Sequence, residues 1–153
     1  MQSYELKPEH TPAQRDRISR QFIEALPFCG ALRMRIEGTA VAEAEMSMPY
    51  DPAIIGDPET GVVHGGAVSA LLDTCGGLAV SLHPEGTKPT ATLDLRIDYM
   101  RPARVGERIN AWAKVYNVTR TVAFVRGIAF DVDRYQPVAT ATGAFTFARR
   151  PKE

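Results

Sequence analysis

The chain has 153 residues, 44% hydrophobic and 24% charged, with 18 Lys+Arg against 18 Asp+Glu. That length suits one folding unit, residues 1–153, whose core needs no disulfide or structural metal. A zero formal charge leaves no electrostatic footprint for nucleic acid or an anionic membrane surface.

The first residues carry Glu5, Lys7, Glu9 and His10 and no apolar run, so no secretory signal is predicted; the expectation is a cytoplasmic protein with Cys29 and Cys75 reduced. Thr11 as a cap, Pro12 in the first turn, and Ile18, Phe22 and Ile23 at helical spacing predict a helix from Thr11 to Ala25, ended by Pro27. From Ala31 the period becomes two. Leu32, Met34 and Ile36 alternate with charged residues, Gly38-Thr39 is read as the turn, and Ala42, Ala44, Met46 and Met48 follow on one face, which together make a hairpin. Pro49 to Val63 reads as a long loop.

His64 to Leu82 is predicted to be a helix apolar round most of its circumference, and such a helix belongs inside something. His64, Ser69, Asp73, Thr74 and five glycines interrupt the stretch from Gly61 to Leu82, so it is no membrane span. Ala91–Tyr99, Arg108–Val118, Thr121–Val132 and Val138–Phe147 alternate as strands, the last three joined by short links that imply antiparallel neighbours. One enclosed helix plus five or six meandering strands is an α+β architecture in which a curved antiparallel sheet wraps a long central helix: the hotdog fold, here with an added N-terminal helix.

The densest chemistry lies between Gly61 and Thr74. A loop of small residues enters a helix start, where the first N–H groups lack intrahelical acceptors, and Gly65 and Gly66 leave them open. A carbonyl oxygen gaining charge in acyl transfer would be stabilised there; the same glycines equally suit close packing of helix on sheet. Asp73 lies nine residues after His64, on a helix otherwise apolar. Its neighbours at spacings of three, four and seven are Gly66, Ser69, Ala70, Gly76, Gly77 and Val80, nearly all small. A buried acid requires partners, and structural and functional roles both fit it. Cys75 is no partner for His64, because eleven residues of helix separate them by about 16 Å. His10, His64 and His83 lack metal-ligand spacing, so no metal site is predicted. The polar series Thr92, Asp94, Arg96, Asp98 is either a solvated strand face or an interface.

The runs GVVHGGAVSALLDTCGGLAV and TATLDLRIDYMRPARVGE resemble the hotdog-fold acyl-coenzyme A thioesterases of the phenylacetate-degradation (PaaI-like) type, over about Ala31 to Ala148. The resemblance implies hydrolysis of acyl-CoA thioesters, with coenzyme A as part of the substrate and no other cofactor. It implies a homodimer with active sites at the interface, and dimers paired into a homotetramer. Asp73 matches the family's catalytic acid, nucleophile or general base; Gly65 matches the amide that polarises the carbonyl; His64 matches the histidine that orders the site. Thr92 falls where relatives have a Ser or Thr that positions water from the neighbouring subunit. Many relatives carry Asn six residues before the histidine; this sequence has Pro58 there, with Asp57 beside it.

Gly66, Thr74 and Asp57 join the expected substrate contacts, and Arg101, Arg104 and Arg120, with Arg149 and Arg150, are candidates for the coenzyme's phosphates. Met46, Met48, Leu72, Phe124 and Phe145 suit an acyl pocket but suit the core better. Two other activities fit the same motifs: a hotdog hydratase or dehydratase of enoyl thioesters, and an acyl-CoA binding domain without turnover.

Overall fold

The computed structural model describes residues 9–150. Helix α1 spans Pro12–Glu24, and its start follows the sequence cues. Thr11 Oγ1 accepts from Gln14 N, Gln14 Oε1 accepts from Thr11 N, and Pro12 occupies the first turn. Pro27 breaks α1 but also opens a second helix, α2 (Pro27–Ala31), because proline suits a first turn as well as it stops a preceding one.

The hairpin β1 (Arg35–Ala40) and β2 (Glu43–Met48) turns at Val41-Ala42, not at Gly38-Thr39. Gly38 lies inside β1 at a register shift. Ala42 takes φ 54°, and the turn is held from outside: Ala42 N donates to Leu82 O, and Val115 N donates to Ala42 O. Tertiary bonds here override a local glycine signal. The predicted loop carries a small ribbon of β3 (Ile55–Asp57) and β4 (Val62–Val63), pinned by the Tyr50 hydroxyl donating to Gly61 O at 2.8 Å.

Helix α3 (Gly65–Ser81) precedes β5 (Thr92–Tyr99), β6 (Ile109–Val118), β7 (Val122–Phe130) and β8 (Ala139–Thr146). Six strands form one antiparallel sheet in the order β1-β2-β6-β7-β8-β5. Helix α3 lies across it, chiefly on β2, β6 and β7, burying Leu71, Cys75 and Leu78 against a core that includes Met46, Met48, Ile109 and Phe145. This is the hotdog arrangement. Phe124 lies outside that core: it is half-buried between the inward Ala123 and Val125 and packs on Tyr116. Among the described residues no helix is long and apolar enough to cross a membrane.

Strand β5 is the sheet's edge, and it contains a bulge. Thr92 pairs with Phe145 and Asp94 with Ala144, so Leu93 is an extra residue. Period-two alternation would set Thr92 on the same face as Asp94 and opposite Tyr99. The bulge reverses this: Thr92 shares the α3 side with Leu95, Ile97 and Tyr99, and Leu93 is thrown outward, 58% exposed. Beyond β5, Asp131 is buried in a corner where Arg101 grips both its oxygens at 2.7 and 2.8 Å and the amides of Arg104 and Val132 add two more bonds.

Candidate active site

The start of α3 is built by three residues in succession. His64 caps the helix in an extended conformation, its Nδ1 accepting from Gly66 N at 2.8 Å. A Cβ at Gly66 would stand 2.8 Å from that ring nitrogen, so glycine is needed for the histidine to fold back. With Nδ1 accepting, the ring hydrogen resides on Nε2, which becomes a donor on an exposed side chain. The Gly65-Gly66 peptide is thus held at both ends, because the Tyr99 hydroxyl donates to Gly65 O at 2.9 Å and also contacts Ser69 Oγ. The Gly65 N–H remains, with no acceptor among the described residues, directed along the positive end of the helix. An opening of about 370 Å³ bounded by Val62, Gly65, Val68, Tyr99 and Met100 lies at this end.

Asp73 is half-buried in mid-helix and accepts from Thr92 Oγ1 at 2.6 Å. It looks into a different cleft, of about 270 Å³, walled by Phe22, Leu26 and Phe28 on one side and by Thr74, Gly77 and Thr92 on the other. The bulge at Leu93 brings Thr92 to the acid. Eight residue steps along α3 separate Gly65 from Asp73, about 12 Å at 1.5 Å each. Within one chain the free amide and the acid therefore face separate openings.

The remaining predicted residues divide. Thr74 lines the Asp73 cleft, but its hydroxyl donates to Ala70 O. The Gly66 amide is taken by His64. Asp57 is exposed and closes its own turn, accepting from Thr60 Oγ1 and Glu59 N, and these bonds, the Thr60 hydroxyl first, hold its carboxyl below the usual range. Pro58 is exposed in the same turn. Arg101, expected at the phosphates, is committed to Asp131, and Arg149 is paired with Glu85 at 2.7 Å. Arg104, Arg120 and Arg150 are exposed. Burial pushes both the Cys29 and Cys75 thiols up, which removes them as nucleophiles at neutral pH. No group of three or more His, Cys, Asp or Glu among the described residues could hold a metal.

Sequence reasoning did not single out Tyr99, Phe22, Leu26 or Phe28. The first reads as one more strand residue and the others as helix packing; only the fold brings them to the two openings.

The model of the thioesterase superfamily matches residues 60–138, the span that holds the helix start, Asp73 and Thr92. The chain belongs to the thioesterase superfamily. It is a hotdog thioesterase of the PaaI-like group. The medium/long-chain acyl-CoA thioesterase YigI of Escherichia coli K12 is 26% identical over 141 residues, which cover 84% of this chain and 90% of that protein. Among solved structures, a Pseudomonas aeruginosa protein is 41% identical with a TM-score of 0.77, over 85% of this chain and 96% of that one. A variant of the phenylacetic acid degradation protein PaaI from Thermus thermophilus is 30% identical with a TM-score of 0.70, over 80% and 99%.

Proposed function

We propose that this thioesterase hydrolyses acyl-coenzyme A, in sites that two copies of the chain complete together. The observation that carries the reading is a separation: the open Gly65 amide and the Thr92-bound Asp73 lie about 12 Å apart on one helix, too far to act on one carbonyl. Two α3 helices set antiparallel would bring the Gly65 of each against the Asp73 of the other. Strand β5 supports this pairing, since it is an edge that leaves Leu93 and Tyr99, and Met100 just after it, more than half exposed.

In such a site the Gly65 N–H and the His64 Nε2–H polarise the thioester oxygen where charge develops. Asp73, oriented by Thr92, either takes a proton from the attacking water and returns it to the sulfur as the carbon–sulfur bond breaks, or attacks the carbonyl carbon to give a mixed anhydride that water then hydrolyses, the departing sulfur taking a proton from water; in both cases coenzyme A leaves as the thiol and the acyl group as the acid. Arg104 is exposed and follows Ala103, which lines the opening at Gly65, and its charge suits a phosphate of the coenzyme. A thioester carbonyl has little resonance stabilisation, so an oxyanion donor, a carboxylate and a water suffice. The homologous YigI, named for acyl-CoA hydrolysis, supports the substrate class.

The test is complementation. Gly65→Pro deletes one N–H at a helix start that suits proline, after a residue already at φ −60° and ψ 134°; its Cβ would stand 3.3 Å from the Tyr99 ring, which has to shift by a few tenths of an ångström. Gly65→Pro and Asp73→Asn should each lose about a hundredfold or more in thiol release from acyl-CoA esters. Subunits of the two variants, mixed and reassembled, should regain a substantial fraction of activity, because one site of each mixed dimer is intact. Mixing that restores nothing, with assembly verified by mass, would place both groups in one chain's site and end the shared-site reading.

A further inference from the structure

The Asp73 cleft has a neighbour. Phe22, Leu26 and Thr90 wall both it and a second cavity, of about 390 Å³, which Ile18, Pro89 and Ser81 also line. Phe22 stands at the junction. Its ring tip comes within 3.5 Å of where a Cβ would be on Gly77, so the ring points down onto the small-residue stripe of α3. Around the entrance Leu26 and Phe28 are 38% and 59% exposed, a cost in water that the fold does not require.

We propose that the acyl chain is an unbranched aliphatic one that runs past Asp73 between α1 and α3, and that Phe22 sets its length. This rests on the acyl-CoA reading above and adds the acyl class and the residue that selects it. The argument is one of shape and chemistry. A compact aromatic acyl group would occupy the first cavity only. Two apolar cavities in series, sharing one side-chain wall, suit a slender chain that gains contact with each methylene. The carboxylate stands at one end of this path, where the reacting carbon must be, and the path beyond it is apolar.

The test uses S-alkyl-coenzyme A thioethers of increasing chain length, which bind but cannot be hydrolysed, titrated by calorimetry into the intact protein. Affinity should rise by about fourfold per added methylene, the amount that burying one methylene contributes, and level off once the path is filled. Phe22→Ala should move the levelling point to longer chains, and Phe22→Trp to shorter ones. Phe22→Leu, which keeps an apolar contact on α3, should act as a weaker Phe22→Ala and serves if the alanine variant does not fold. Affinity indifferent to chain length, or the same levelling point in folded variants, overturns the proposal. Phe22 variants that change only the assembled mass would make this wall a subunit contact and overturn it too. Wild-type protein that binds thioethers by length but releases no thiol from any ester would sink the hydrolytic reading and leave the acyl path standing; turnover without length dependence would do the reverse.

Discussion

Asp131 and Asp73 are two aspartates half a molecule apart in role. Asp131 is fully buried and receives four donors: two from Arg101 and one each from the amides of Arg104 and Val132. These bonds, Arg101 first, hold its carboxyl well below the usual carboxylate range. Asp73 is half-buried, faces a cleft, and receives one side-chain donor, from Thr92. A carboxylate whose lone pairs are all used can only hold structure together. One with lone pairs to spare in a cavity can accept a proton or attack a carbon.

The sharpest break of this contrast is Arg101→Met. It strands a buried charge and should cost about 3–5 kcal/mol of stability in chemical denaturation. The same corner sets an acid response. Because the folded-state value of Asp131 lies below the ordinary one, its contribution is complete above the unfolded carboxylate pKa of about 3.9. It declines as pH falls from there toward the folded value, the unfolded chain taking up the proton first. Arg101→Met should flatten that part of the stability-versus-pH curve.

Asp73→Asn is the counterpart. It should leave the unfolding free energy within about 0.5 kcal/mol of wild type, since Thr92 can still donate to the amide oxygen, while thiol release falls about a hundredfold. A variant as active as wild type would move Asp73 to the structural side of the comparison. Thr92→Val is smaller. Losing one hydrogen bond to a charged group should slow turnover by about tenfold with little change in KM, and Thr92→Ser should restore most of it.

Much of this was legible in the sequence where one physical rule acted alone. The capping of α1, the enclosed apolar α3, and the alternation of β6 to β8 follow from local pattern, and they emerge as expected. Rules in competition misled. The hairpin turned at Ala42 because bonds from Leu82 and Val115 outweighed a glycine. Arg101 reads as a free cation until the fold delivers Asp131, thirty residues on. In the site, Gly65 and Asp73 stand out by pattern, whereas Thr92 reads by pattern as part of a polar strand face and joins the site, like His64, only through the family resemblance. Only the extra residue at Leu93 turns it toward the acid, and alternation cannot announce its own interruption.

That extra residue explains how the edge strand can shorten without losing its hold on the acid. Thr92 and Asp94 already face neighbouring partners, Phe145 and Ala144, so removing the position between them would close the ladder into plain alternation with Thr92 still toward α3. A one-codon deletion at position 93 should therefore spare the hydroxyl on Asp73, and the outward leucine should tolerate exchange as readily as loss.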